Sequence, residues 1–166
     1  LYWIRKAKEV LSIPVIASLN AVHPEIWLEY AKRIAETDVD ALELNFYASP
    51  ADSGRDAASI ENDQIQMIKE IVKAVRLPVS VKISPFYTNI GSFVSRLDQT
   101  GIQGVVLFNR VFQPDIDAEE EKHIQPYHLS SRSDNRMALR YAGLLSANLN
   151  ADICSNTGIF EGEDMI

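Results

Sequence analysis

The sequence predicts an α/β fold in which five strand–helix units follow one another along 166 residues. Five short, mainly apolar segments have the length and composition of strands in a parallel sheet that is covered on both faces. The segments between them carry apolar residues at helical spacing. The candidate strands are residues 14–20, 41–46, 78–84, 104–109 and 151–156. Such units are compatible with a closed barrel or an open doubly wound sheet, and periodicity alone does not separate the two.

The helices are predicted from stripes of apolar side chains that would pack onto the sheet. The stripes are Ile26, Tyr30, Ala31 and Ile34; Ile65, Ile68, Ile71, Val72 and Val75; Ile90, Phe93, Val94 and Leu97; and Met137, Tyr141, Leu144 and Leu145. Pro24 suits the first turn of one helix, and Ser133 or Asp134 suits the N-cap of the last. Residues 1–10 are typical of the end of an amphipathic helix.

Composition indicates a globular protein, with 46% hydrophobic and 23% charged residues. The formal net charge of -7 argues against a nucleic-acid partner, because an acidic surface repels phosphates. The single cysteine, Cys154, excludes an internal disulfide and is compatible with a reducing compartment. No apolar run approaches the ~20 residues that span a bilayer, and the histidines show no metal-ligand spacing. We therefore expect a cytoplasmic protein that acts on a small molecule, without a metal or membrane partner.

The longest interval between strands contains an insertion, residues 110–131, that follows the strand 104–109. Insertions after a strand fall on the carboxyl-end face of the sheet, where barrel active sites are built. The acidic run AEEEK (118–122) within it is most simply a solvated loop.

Polar side chains lie on or directly after four of the predicted strands. If the strands 41–46 and 78–84 are neighbours, Asn45 and Lys82 converge at their carboxyl ends, and Asn20 and Asn109 end two further strands. An amine and several amides suit a flat heterocycle with carbonyl and imide edges, such as a flavin. The alternative for Lys82 is an ion pair with Glu43, and each asparagine taken singly could be a turn residue.

Near the end of the chain, residues 155–166 place Gly158 and Gly162 between a strand and a predicted helix. Backbone N–H groups at a helix start bind phosphate, and glycine permits its close approach. Glycine loops are common, so this pattern alone indicates little.

Four segments together resemble the dihydroorotate dehydrogenase family. ELNFYASP (43–50) is similar to the family's Glu-Leu-Asn strand and catalytic loop, and VKISPFY (81–87) is similar to its Val-Lys-Leu-Pro-Pro motif. LFNR (107–110) stands where the family has an Asn-Ser strand end, and NTGIFEGED (156–164) resembles its Thr-Gly-Gly-Ile segment. Their order and spacing agree over nearly the whole chain, and residues 106–117 resemble the dihydroorotate dehydrogenase-like branch.

The resemblance implies a (β/α)₈ TIM barrel that carries FMN across its carboxyl-end mouth. Residues 1–166 would be a single, partial FMN-binding barrel domain of about five βα units, approximately strands three to seven. We expect the chain to be truncated at both ends, so targeting signals cannot be judged from it. The implied residues are Asn20, Lys82 and Gly158 for the cofactor and Asn45 and Asn109 for the substrate.

Three positions depart from the family pattern. The catalytic Cys or Ser of the family aligns with Ala48, a substrate-binding asparagine aligns with Pro50, and Arg110 replaces a small polar residue. Alanine has no titratable group, so we expect proton transfer to fall to a neighbour in the same loop. Ser49 is the first candidate and Tyr47 is the second.

The implied activity is that of an oxidoreductase acting on CH–CH groups, which oxidises dihydroorotate to orotate in pyrimidine biosynthesis. Hydride would pass between a substrate carbon and flavin N5, and a side chain on the opposite face would move the proton. The alternatives are a flavin barrel with another pyrimidine-like or unsaturated substrate, a Schiff-base aldolase using Lys82, and a non-catalytic binding protein. The sequence does not reveal the electron acceptor or the oligomeric state, and a homodimer is compatible with it.

Overall fold

A computed structural model describes residues 1–20, 24–46, 54–110, 114–126 and 129–165. Its strands are β1 (Ile16–Leu19), β2 (Ala41–Asn45), β3 (Val79–Ile83), β4 (Gly104–Leu107), β5 (Asp115–Asp117), β6 (Lys122–Ile124) and β7 (Asp152–Ser155). Five of them form one parallel sheet in the order β1-β2-β3-β4-β7, and β5 and β6 form a separate antiparallel hairpin. All the strands predicted for the main sheet are confirmed, with slightly shorter bounds.

Helices alternate with these strands, as the apolar stripes predict. They are α1 (Tyr2–Val10), α2 (Pro24–Ala35), α3 (Ala57–Ala74), α4 (Ile90–Asp98) and α5 (Asn135–Leu145). Pro24 is the first residue of α2, where its missing N–H removes no helical hydrogen bond. Asp56 caps α3 by accepting a hydrogen bond from the Ser59 N–H at 2.7 Å, and Asn89 caps α4 in the same way.

The two faces of the sheet differ in polarity because side chains alternate along each strand. Leu42, Leu44, Val81 and Ile83 are completely buried on the face that packs against the helices. The opposite face carries Ser18, Glu43, Asn45 and Lys82, all of which retain some solvent exposure. Burial of each large apolar side chain contributes roughly 1.5–3 kcal/mol, so the helix-facing side holds the sheet together.

Two helices depart in part from the predicted stripes. In α2, Ala31 and Ile34 are buried as predicted, but Trp27 is buried with them in place of Tyr30, which is 43% exposed. Trp27 stacks on Phe46 at the end of β2, with ring centroids 4.3 Å apart. Trp27 lies four residues before Ala31 on the same face, so the helix is rotated toward β2 relative to our expectation.

In α5 the prediction of Met137 and Leu144 as core residues was wrong, because they are 46% and 59% exposed. Ala138 is buried instead, with Tyr141 and Leu145 packed beside it. A small residue at the contact lets the helix lie close to the sheet.

The residue directly before α5 is Asp134, one of the two predicted cap positions, although its side chain makes no cap hydrogen bond to the helix. Ser131 begins a short 3₁₀ turn, Arg132–Asp134, that leads into the helix. The Asp134 carboxylate accepts a hydrogen bond from the Ser131 N–H at 2.7 Å. Ser131 is therefore the N-cap of this turn, and Asp134 acts as its reciprocal partner in a capping box.

The insertion 110–131 contains the β5–β6 hairpin. Residues 118–121 form the exposed turn between its strands, which agrees with the prediction of a solvated loop.

Candidate active site

The carboxyl ends of β2 and β3 bring Asn45 and Lys82 together, as predicted. The two residues are register partners in the parallel pair. The Asn45 Oδ1 atom is buried and has no hydrogen-bond partner among the residues that the structure describes. Burying an amide oxygen without a hydrogen-bond donor costs free energy. This atom therefore indicates that a donor is missing at the carboxyl ends of β2 and β3, which we call the β2–β3 rim.

Lys82 forms the ion pair with Glu43 that we considered as its alternative role. The Lys82 Nζ lies 2.8 Å from the Glu43 Oε1, and the two side chains are 19% and 16% exposed. The Ser18 hydroxyl donates to the same oxygen at 3.0 Å. Lys82 therefore has a partner within the protein, and its contact with a flavin stays a prediction.

The other two predicted asparagines, Asn20 and Asn109, lie beyond the ends of their strands. Asn20 directly follows β1 and is exposed. Asn109 lies two residues beyond β4, and its backbone N–H donates to the Ile83 carbonyl at 2.7 Å.

Asn156, at the end of β7, was not among the predicted site residues. Its side chain donates to the Phe108 carbonyl at 3.1 Å, and its backbone N–H donates to the Leu107 carbonyl at 2.7 Å. It thereby ties the carboxyl end of β4 to that of β7. The rule that singled out the other strand-ending asparagines would also have found it.

A cleft of about 210 Å³ opens above the start of α5, between the ends of β3, β4 and β7. Its walls combine aromatic rings, amides and one guanidinium group. They are formed by Pro85, Phe86, Phe108, Asn109, Arg110, Asp134, Met137, Ala138, Asn156 and Thr157. Asn109 lines this cleft, whereas Asn20, Asn45 and Lys82 do not. The structure thus separates Asn45 and Lys82, at the ends of β2 and β3, from Asn109 in the cleft.

The Arg110 guanidinium, one of the departures from the family pattern, is held at the edge of this cleft. Its Nη2 donates to the Leu129 carbonyl at 3.3 Å, which links the end of β4 to the far end of the insertion.

One wall of the cleft is anchored by Tyr87. Its hydroxyl donates to the buried Gln64 Oε1 at 2.8 Å, and its ring stacks on Phe93 with centroids 4.1 Å apart. Burial raises the pKa of the Tyr87 hydroxyl, and the charge of Glu61 adds to the effect. Tyr87 is therefore a structural phenol that fixes the loop carrying Pro85 and Phe86.

Gly158 packs closely against the backbone at the start of α5. Its φ is 70°, and a Cβ placed on it would lie 2.7 Å from both the Ser131 carbonyl oxygen and the Asn135 nitrogen. Its neighbour Thr157 is also left-handed, with φ of 72°. Only glycine fits this contact, which explains the residue without a ligand. Its predicted position beside the ribityl phosphate remains a prediction.

The backbone N–H groups that follow Gly158 are bound by a carboxylate of the chain itself. The Asp164 Oδ2 accepts hydrogen bonds from Phe160 at 2.8 Å and Glu161 at 3.0 Å. These two bonds, with a smaller effect of Arg132, hold the pKa of Asp164 below its ordinary value. The predicted helix here is a short 3₁₀ turn, Gly162–Met165.

The candidates for proton transfer, Tyr47 and Ser49, lie outside the described residues, as do Ala48 and Pro50. Their loop leaves the sheet at Phe46, which is buried and stacked on Trp27. Where the loop begins is therefore well defined by packing.

Within the described ranges, no group of three or more His, Cys, Asp and Glu side chains is arranged to hold a metal ion. In the same ranges, no helix has the length and apolar character needed to cross a membrane.

A parallel β/α sheet with amine and amide groups at its carboxyl ends is the arrangement of barrel enzymes that bind their ligands on that face. The dihydroorotate dehydrogenase family model matches residues 2–166, and the chain belongs to this family. Its members are (β/α)₈-barrel oxidoreductases that generally bind a flavin, and the five-stranded sheet is part of such a barrel.

Three curated relatives illustrate the similarity. The catalytic subunit of dihydroorotate dehydrogenase B (NAD(+)) of Methanocaldococcus jannaschii is 28% identical over 98% of this chain and 54% of its own length. The protein of the same name from Anoxybacillus flavithermus is 30% identical over 93% of this chain and 51% of its own. A putative dihydroorotate dehydrogenase A (fumarate) of Aeropyrum pernix is 26% identical, over 95% and 53%. The chain spans about half the length of these relatives.

Proposed function

We propose that the protein is an FMN-dependent oxidoreductase that converts dihydroorotate to orotate, and that residues 1–166 form the part of its barrel from strand three to strand seven. The observation that carries the proposal is that Asn45, whose buried side-chain oxygen has no donor among the described residues, is the register partner of Lys82 at the carboxyl ends of the sheet. The small-molecule substrate, the cytoplasmic location and a homodimer belong to the same proposal.

The residues at the β2–β3 rim fit the ring of a flavin. The polar edge of the ring has carbonyl oxygens that accept hydrogen bonds and an imide N–H that donates one. Lys82 matches the oxygens, and an ammonium has three donor hydrogens, so its bond to Glu43 does not exhaust its capacity. Asn45 Oδ1 is an acceptor that needs a donor, which the flavin or a substrate N–H would provide.

The phosphate end is less well supported. The N–H groups of Phe160 and Glu161 are committed to Asp164, so we do not assign them to a phosphate. Gly158 stays our candidate only through its place in the family motif, because the atoms that exclude a side chain there belong to Ser131 and Asn135 of the chain itself.

A flavin, when bound, supplies the acceptor for a hydride. The substrate loses a hydride from one carbon and a proton from its neighbour, and a carbon–carbon double bond forms between them. Lys82 would stabilise the negative charge of the reduced flavin, while Asn45 and Asn109 would orient the substrate. Ser49, or failing it Tyr47, would take the proton on the opposite face.

The cofactor is tested first, on the purified protein. Its absorbance spectrum and the mass of the small molecule released by denaturation should identify FMN. A colourless protein that takes up no added FMN would contradict the proposal.

The substrate is tested by rapid mixing of the flavin-loaded protein with dihydroorotate under anaerobic conditions. We expect bleaching of the flavin absorbance, slowed by ~10²–10⁴-fold in Ser49→Ala if this hydroxyl transfers the proton. Tyr47→Phe is the matched variant for the second candidate. Equal rates in all three proteins would exclude both residues.

A second substrate class is favoured by Arg110, whose guanidinium group lines the cleft where the family has a small polar residue. Together with Ala48, it supports a flavin enzyme acting on another pyrimidine-like or unsaturated compound. A flavin that binds but is not reduced by dihydroorotate would support this alternative.

The Schiff-base alternative is disfavoured by the Lys82–Glu43 contact. The Lys82 Nζ already donates a hydrogen bond to Glu43, so the nitrogen would have to leave this partner to attack a carbonyl. Borohydride trapping of a carbonyl substrate on Lys82 would reverse this conclusion.

A further inference from the structure

A row of three linked polar side chains crosses β1, β2 and β3 on the face of the sheet that points away from the helices. The Ser18 hydroxyl and the Lys82 ammonium both donate to one oxygen of Glu43, at 3.0 Å and 2.8 Å. Ser18 and Glu43 are register partners in the sheet. We call Ser18, Glu43 and Lys82 the Glu43 network.

The ion pair within this network is diagonal to the strand register. The register partner of Glu43 is Ser80, and the register partner of Lys82 is Asn45. Lys82 therefore leans toward the amino end of the sheet to reach Glu43. Without Glu43, the ammonium group would be free to move up to the rim, where the buried Asn45 oxygen lies.

The charges of this pair act on each other with little screening. The Lys82 and Glu43 side chains are 19% and 16% exposed, whereas the Lys122–Glu120 pair in the hairpin is 71% and 66% exposed. Charges shielded from water interact more strongly than exposed ones. The Glu43 carboxylate therefore offsets much of the positive potential that Lys82 would otherwise produce at the rim.

We infer that Glu43 is a positioning residue that sets the reduction potential of the bound flavin, by drawing the Lys82 ammonium away from the Asn45 oxygen and offsetting its charge. This inference rests on the proposed function. A cation near the ring stabilises the negatively charged reduced flavin. Glu43 weakens that stabilisation, so it lowers the flavin's reduction potential, and Ser18 keeps its carboxylate oriented.

The test is the midpoint potential of the flavin in the loaded protein, measured by equilibration with a reference dye. Glu43→Gln keeps the side-chain size and removes the charge. We expect it to raise the preference for reduced over oxidised flavin at least tenfold, which equals about 30 mV for two electrons. Lys82→Met should shift the potential in the opposite direction, and the charge-balanced double variant Glu43→Gln/Lys82→Met should lie between them.

Two further variants separate this role from a purely structural one. Glu70→Gln makes the same charge change on the exposed surface of α3 and should leave the potential at the wild-type value. Glu43→Asp keeps the charge but draws it back from Lys82 by one methylene. It should raise the potential less than Glu43→Gln, and it tests the inference if the glutamine variant does not fold.

The outcomes distinguish the inference from the proposed function. A wild-type protein that binds no FMN overturns both. A flavin-loaded wild type whose potential is unchanged in Glu43→Gln and Glu43→Asp overturns only the inference. Shifts of the same sign in Glu43→Gln and Lys82→Met also overturn it, because opposite charges must act in opposite directions.

Discussion

The β2–β3 rim (Glu43, Asn45 and Lys82) and the β7 loop (residues 156–165) both match family motifs, but they differ in how their polar groups are used. At the rim, a buried amide oxygen has no donor in the described part of the chain. In the β7 loop, the backbone N–H groups of Phe160 and Glu161 are bound by Asp164. Within the described residues, the rim leaves one acceptor without a donor, whereas the donors of the loop are bound by the chain itself.

The difference shows that a motif identifies a location more reliably than it identifies a contact. Backbone N–H groups must be paired when they leave water, and the nearest acceptor will serve. Asp164 is such an acceptor for the β7 loop. The Asn45 oxygen is buried, and none of the described residues donates a hydrogen bond to it.

The largest effect should come from the tight contact that orders the β7 loop. Gly158→Ala puts a methyl group 2.7 Å from two backbone atoms at a φ of 70°, so we expect it to lower the unfolding free energy by about 2–4 kcal/mol. Gly143→Ala is the matched control, because nothing lies within 4 Å of its Cβ in α5. It should raise the unfolding free energy by about 0.5–1 kcal/mol. Equal effects in urea unfolding would show that the contact does not order the loop.

A smaller effect should follow from breaking the ion pair at the rim. Lys82→Ala leaves the Glu43 carboxylate partly buried without its cation, and we expect a loss of about 1–3 kcal/mol, reduced from the fully buried case by the remaining exposure. Lys122→Ala removes the exposed partner of Glu120 in the hairpin and should cost about 0–0.5 kcal/mol. If the two variants unfold at the same urea concentration, the rim pair is screened as strongly as a surface pair.

The smallest effect concerns the pH dependence of the β7 loop. The pKa of Asp164 is lowered by the N–H groups of Phe160 and Glu161, so its contribution to stability is present above its ordinary value of 3.8 and is lost as pH falls through the lowered pKa. Asp164→Asn should therefore lose less stability than wild type between about pH 4 and pH 2. Urea unfolding at several pH values measures this.

Asp98 provides an independent comparison for that experiment. Its pKa is lowered by the N–H of Ala151 and by Asn150, which places β7 against the end of α4. Asp98→Asn should also reduce the loss of unfolding free energy at acid pH. The effects of the two substitutions should add, because the two sites share no partner. If Asp164→Asn leaves the loss of stability at acid pH unchanged, the hydrogen bonds from Phe160 and Glu161 to Asp164 are not formed in solution.

The fold was predictable because it depends on local patterns. Apolar strands, helical stripes and a proline at a helix start are properties of neighbouring residues. The faces of the helices were less predictable, since Tyr30 and Trp27 both satisfy an amphipathic pattern within α2. Packing of Trp27 on Phe46 decided between them, and no rule of spacing contains that contact.

The sequence by itself determined that Asn45 and Lys82 lie on the polar faces of their strands near the carboxyl ends, because side chains alternate with a period of two. That the two residues meet follows from β2 and β3 being neighbours, which only the sheet topology decided. The sequence also determined the family, through the order of its motifs. Only the tertiary structure decided that Lys82 leans back to Glu43, that Asn109 lines a separate cleft, and that Asp164 occupies the backbone donors of the β7 loop. In each case, several partners could bond the same polar group, and some of them are distant in the chain. The group bonds the partner that offers the best hydrogen-bond geometry, and that geometry exists only in the folded structure.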